Sequence, residues 1–201
     1  MILPGNTISI LLALAAGGAC AAAILVSRRG VLIAGLLVQF VCAALLFSSL
    51  PMALVVAYCI VGACVCGILA VTLAGEEALG ESRQVGIPSG MWFRVVAVLL
   101  VALASISLAR AAIGSGDAVA PGAPIGAGLL MGLGLLQVGL SEEPLRVGSG
   151  LMSIIGGFEI GYTTVVTAIA LHGLIIAIPL LIALVVAYLQ VQPAAGSDAV
   201  Q

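Results

Sequence analysis

The sequence predicts an all-α integral membrane protein of about seven transmembrane helices in a single domain. Three observations predict it. Of 201 residues, 63% are hydrophobic and only 7% charged, and the mean hydropathy of +1.38 excludes a water-soluble enzyme. Apolar runs recur along the chain, each close to the about 20 helical residues that cross a roughly 30 Å hydrocarbon core. The polar stretches between them are too short to hold a folded domain of their own.

Taken in order, the spans are expected at 6–27, 31–49, 51–74, 92–112, 124–140, 146–163 and 165–191. The first two end at Ser27-Arg28-Arg29-Gly30 and at Ser48-Ser49-Leu50-Pro51, and the third at the polar stretch 75–90. The fourth ends at Gly114-Ser115-Gly116-Asp117, with Pro121 and Pro124 beyond, and the fifth at Ser141-Glu142-Glu143-Pro144. Gly and Pro mark such breaks because one frees the backbone and the other fixes it. Residues 145–191 are almost continuously apolar. A single helix of that length would reach about 70 Å, so a turn is needed, expected near Gly161-Tyr162-Thr163-Thr164. Residues 192–201 read as a flexible tail.

All six basic residues are arginines. Alternating the loops puts Arg28, Arg29, Arg83 and Arg146 on one side, with Arg94 at that side's membrane edge and only Arg110 opposite. The positive-inside rule makes the arginine-rich side cytoplasmic, with the N-terminus outside and the C-terminus inside, in the cell (inner) membrane. Trp92 beside Arg94 suits an interfacial anchor. No basic residue precedes the first span and Arg28-Arg29 follow it, the flank of a retained span and not of a cleaved signal.

Sliding the chain over itself by 114 residues sets the break at Ser27-Arg28-Arg29-Gly30 on Ser141-Glu142-Glu143-Pro144 without a gap. The turn at Ser48-Ser49-Leu50-Pro51 then falls on Tyr162-Thr163-Thr164-Val165. The layout reads as a possible parallel repeat, residues 6–74 and 124–191, joined by a connector helix at 92–112; residue identity between the halves is low. Gly128 with Gly132, and Gly157 with Gly161, are small residues four apart that let helices approach, either within the bundle or toward partner subunits.

Three polar residues inside the spans are candidates for a proton or ion path. Glu159 is the one acid well inside an apolar stretch, where a carboxylate costs roughly 2.5–3.5 kcal/mol at mid-span and by default marks such a path. Near the turn it would instead be interfacial and cheap. His172, the only histidine, has an ordinary pKa of about 6.5 that suits a shuttle, yet a lone membrane histidine also serves as a packing residue. Gln39 lies centrally in the second span, where its amide needs a partner, as path lining or as glue between helices. Glu159 and His172 flank the same expected turn and so stand within possible reach of each other.

Other chemistry is thin. Cys20, Cys42, Cys59, Cys64 and Cys66 form no paired-ligand motif, and with one histidine neither a haem nor a zinc site is expected. No cofactor, metal or catalytic residue is assigned, and no basic patch calls for nucleic acid. The loop acids Glu76, Glu77, Glu81, Glu142 and Glu143 are expected to be solvated, or to meet basic edges of neighbouring subunits.

The stretch Ile24-Leu25-Val26-Ser27-Arg28-Arg29-Gly30-Val31-Leu32, followed by Gly35-Leu36-Leu37-Val38-Gln39, resembles the small three-span K-type (chain 4L) subunit of respiratory complex I. Pro144-Leu145-Arg146-Val147-Gly148-Ser149-Gly150-Leu151 is similar to the corresponding stretch of the hydrogenase-4 component E family, whose members have about this length and carry a K-like module in their C-terminal half. The resemblance spans the whole chain in plan and two short stretches in letters. It implies a non-redox membrane-arm subunit of a complex I-related or hydrogenase-4-like assembly, beside antiporter-like subunits in the lipid bilayer, contributing to a proton or sodium path. The chain departs from the pattern at the carboxylates. Gln39 stands where the K-type family has its first buried glutamate, apolar residues 62–67 cover the second, and Ile155 takes the place of the component E glutamate. Glu159 follows one turn later on the same face, a displaced substitute. From a different class, an autonomous small transporter or channel is the alternative.

Overall fold

The computed structural model of the chain describes residues 4–26, 28–47, 51–78, 90–113, 121–163 and 169–191. Side chains are described from Thr7 onward and exclude 76–78, 112–113 and 169–170. Seven α-helices follow in order: α1 (Pro4–Leu25), α2 (Arg29–Leu46), α3 (Met52–Ala78), α4 (Met91–Ile113), α5 (Gly122–Leu140), α6 (Pro144–Thr163) and α7 (Ile169–Val191). Among the described residues there is no strand. The protein is an all-α membrane protein, and six of its helices are long and apolar enough to cross a bilayer.

Local chemistry sets the ends. Proline opens α1 and α6, where a missing N–H costs nothing because the first helical donors have no intrahelical partner. The Glu143 carbonyl accepts the first bonds of α6 from the amides of Arg146 and Val147, both at 3.0 Å. Pro179 lies inside α7, tolerated in a span where neighbouring helices can re-satisfy the freed backbone. The sixth helix runs through Gly161, Tyr162 and Thr163, so those three residues of the expected turn are helical; residues 164–168 lie outside the described residues. Phe158 and Tyr162 stack one turn apart with centroids 5.8 Å apart, and the Thr163 hydroxyl bonds back to the Ile160 carbonyl at 2.7 Å, both of which favour continued helix.

The first three helices lie against the last three: α1 packs on α5, α2 on α6 and α3 on α7, while α4 rests mainly on α5. Only 11% of the α4 span is buried, so the chain itself leaves most of this helix uncovered. Glycine lets α5 and α6 approach most closely. A Cβ on Gly157 would stand 2.8 Å from the Ala127 carbonyl, and one on Gly134 would stand 2.8 Å from that of Gly150. Gly128 and Gly132 face Ser105 of α4, and Gly161 faces Ala127, so both expected glycine pairs serve contacts within the chain. At the centre the Tyr58 ring packs 5.3 Å from Phe40 and 4.9 Å from Phe47, edge-on to the latter.

Candidate functional site

The exception among the helices holds the chemistry. Helix α6 is not one of the six strongly apolar spans, and its buried side carries Arg146, Ser149, Ser153, Glu159 and Thr163. Spacings of three and four residues put most of these on one face, over a rise of about 25 Å from 146 to 163. Each polar group inside a membrane protein needs a partner, and the partners come from α1, α2 and α5.

At the end where the α1–α2 and α5–α6 turns meet, Arg146 is 5% exposed. Its guanidinium donates to the Ala23 carbonyl at 3.5 Å and the Val26 carbonyl at 3.2 Å, groups that the end of α1 leaves without helical donors. Its Nε also meets Glu143 at 3.1 Å, and the other Glu143 oxygen lies 2.8 Å from Arg29. Two sequence expectations change here. Arg146 is no solvated loop charge, because α1 needs its fork. Glu143 is neither solvated nor reserved for another subunit, because two arginines of its own chain hold it. Glu142 is exposed. The side chains of Glu76 and Glu77, all of Glu81 and Arg83, and the tail 192–201 lie outside the described residues.

One turn along α6, the Gln137 amide of α5 donates to the Arg146 carbonyl at 3.2 Å and to the Ser149 hydroxyl. Ser153 follows. Its single hydroxyl hydrogen has two acceptors, Gln39 Oε1 at 2.8 Å and the Ser149 carbonyl at 2.9 Å. Cys20 closes the cluster from α1, its sulfur 3.8 Å from Ser153 Oγ and 3.9 Å from Gln137 Oε1. Residues 114 apart thus meet twice, Arg29 with Glu143 and Gln39 with Ser153.

Beyond Ser153 lies a cavity of about 10 Å³, lined in part by Gln39, Tyr58, Ser153 and Gly156. Gly156 leaves the space, since a Cβ there would sit 3.3 Å from the Tyr58 hydroxyl. Glu159 follows Gly156 by three residues, about one turn along the same helix. Glu159 itself is 0% exposed, and among the described residues neither of its carboxyl oxygens has a hydrogen-bond partner. The carboxyl is enclosed by the bundle, four residues before the last residue of α6.

No family model, curated protein or solved structure matches the chain. The site must be read from its own residues. Of the three candidates from the sequence, Gln39 lines the cavity, and Glu159 follows the cavity's Gly156 by three residues on α6. His172 is also 0% exposed but belongs to another contact, its ring 5.2 Å from Tyr162. No hydrogen bond joins it to Glu159, whose oxygens make none, so the turn does not bring the two into direct proton exchange. Of the cysteines, Cys20, Cys42 and Cys66 are buried, whereas Cys59 and Cys64 are exposed on α3. Among the described residues no three His, Cys, Asp or Glu side chains gather as a metal site would need.

Ser149, Ser153, Gln137 and Tyr58 belong to this cluster and cavity without a role in the sequence reading, which used Arg146 only to orient the chain. The signal available was the face of α6: Arg146, Ser149, Ser153 and Gly156 recur at three- and four-residue spacing within an apolar segment.

Proposed function

We propose that the chain is a non-redox membrane-arm subunit of a complex I-related or hydrogenase-4-like proton- or ion-translocating oxidoreductase, and that it supports the ion path with Glu159 as its proton-exchanging group. One observation carries the reading. A fully buried carboxyl with no hydrogen-bond partner among the described residues lies on the helix whose preceding turns carry a line of bonded polar side chains from a charged turn. Packing does not explain such a group, because an apolar side chain would fill the place without the cost of roughly 2.5–3.5 kcal/mol that an intramembrane acid carries. An acid that exchanges protons with a neighbouring polar line does explain it. The resemblance of the two turn segments to the K-type and component E families supplies the assembly, with antiporter-like subunits as neighbours.

The test uses the intact complex. Glu159→Gln keeps the volume and removes the exchangeable acid proton, so coupled ion pumping should fall while assembly and electron transfer persist. Unchanged pumping would overturn the relay and leave a sealing role. A purified chain that migrates without partners and conducts ions in liposomes would overturn the subunit reading in favour of an autonomous transporter.

A further inference from the structure

We propose that the cavity between α2, α3, α5 and α6 is the seat of one water molecule, which joins the Gln39–Ser153 pair to the Tyr58 hydroxyl over Gly156, one turn of α6 before Glu159, and that residue 156 is glycine to keep that seat open. The volume suits this occupant. About 10 Å³ is roughly one water's worth of space, and a buried water needs two to four polar partners. Gln39, Ser153 and Tyr58 all line it, from three different helices. An apolar void of this size would stay dry; one with an amide and two hydroxyls in its wall would not.

The hydrogen-bond accounting shows what the water does. Ser153 has one hydrogen and two acceptors in range, Gln39 Oε1 and the Ser149 carbonyl. When it donates to Ser149, Gln39 Oε1 is free to accept from the water and the Ser153 oxygen keeps lone pairs for it. The Tyr58 hydroxyl can donate to the same water or accept from it. A turn of one hydroxyl rotor therefore moves the Ser153 hydrogen between the Ser149 carbonyl and Gln39 Oε1, and so opens or closes that amide oxygen to the water without moving a helix. Without the water, the line of polar groups breaks at the cavity. This deepens the reading of Glu159 as a proton-exchanging group and rests on it for its purpose, though the water seat itself is a separate claim.

The experiment uses the full chain in lipid nanodiscs and infrared difference spectroscopy with two isotope labels. A water band sensitive to oxygen-18 water reports the seat, and the Glu159 carbonyl band, identified by Glu159→Gln, reports proton exchange with deuterated solvent. Gly156→Ala should remove the water band and slow exchange at Glu159 by about tenfold or more, the factor expected from losing one buried hydrogen-bonded link. Tyr58→Phe keeps the ring and the fold, removes one partner of the water, and should shift the band and slow exchange in the same direction. If Gly156→Ala disturbs folding, Tyr58→Phe alone decides. A water band unchanged in the folded variants, or exchange at the wild-type rate in both, overturns the proposal. A Glu159 carbonyl that never exchanges in the wild type, with the water band present, overturns the proton-exchange reading and leaves the seat standing.

Discussion

Replacing Arg146 by Met tests whether the charged turn is held by its carbonyl bonds or by its ion pairs. Arg146 makes two well-formed charged hydrogen bonds, to Val26 O at 3.2 Å and Glu143 at 3.1 Å, and a long one to Ala23 O at 3.5 Å. Hydrogen bonds to charged groups are worth about 1.5–3 kcal/mol each, and removing one partner of a buried pair costs about 3–5 kcal/mol. Both routes give a loss of about 3–5 kcal/mol for Arg146→Met. Arg29 differs, because its pair with Glu143 is 23% and 17% exposed and so worth about 1 kcal/mol or less. Arg29→Met should therefore cost far less than Arg146→Met. Arg146→Lys should fall between, since a point charge cannot fork to a carbonyl and a carboxylate as guanidinium does. The assay is reversible denaturation in mixed micelles, followed by helical circular dichroism. A loss below about 1 kcal/mol for Arg146→Met, or equal losses for both arginines, would refute the assignment of Arg146 as the clamp of α1.

Other outcomes follow from single distances. Gly157→Ala puts a Cβ 2.8 Å from the Ala127 carbonyl, so α5 and α6 must separate, at a cost of about 1–3 kcal/mol measurable in the same assay. Ser153→Ala removes one neutral bond to Gln39 and should cost only about 0.6–1.7 kcal/mol, the range of such bonds in membranes. Tyr58→Ala empties a site between Phe40 and Phe47 and should cost about 3–5 kcal/mol. Spin labels on Cys59 and Cys64, with the other cysteines replaced, should relax with dissolved oxygen and not with a water-soluble nickel chelate, since both side chains face outward on an apolar span.

Hydropathy made the spans legible because lipid imposes one rule on every helix. Even the shortest loops, Ser27-Arg28 and Ser141-Glu142-Glu143, show as polar breaks in the sequence. Gly161-Tyr162-Thr163 look like a break in the sequence, yet all three are helical, with Phe158 stacked on Tyr162 one turn apart. The site was legible only in part. Glu159 and Gln39 stand out as polar letters in apolar text, but Gln39 meets Ser153 across 114 residues and Arg146 meets the end of α1 across 120. Such pairings come from how helices are placed side by side, which composition does not encode. Arg146 looked like an orienting charge because its spacing to Glu143 is that of a turn, and only the nearby carbonyls of α1 show that it is inside.

The weak apolarity of α6 has a consequence for how the chain is made. Among the described residues, every partner that another helix gives its buried polar groups precedes it in the sequence: the α1 carbonyls, Cys20, Gln39 and Gln137. A segment that carries Arg146 and Glu159 and falls short of the apolarity of the other six helices would leave the translocon for lipid only reluctantly by itself. Synthesis from the N-terminus delivers its partners first. The earlier helices therefore act as an internal receptor for α6, and the order of the genes' codons is also an order of assembly. Shortening the chain from its N-terminal end would strand α6 at the membrane surface, while shortening it after α6 would leave that receptor intact.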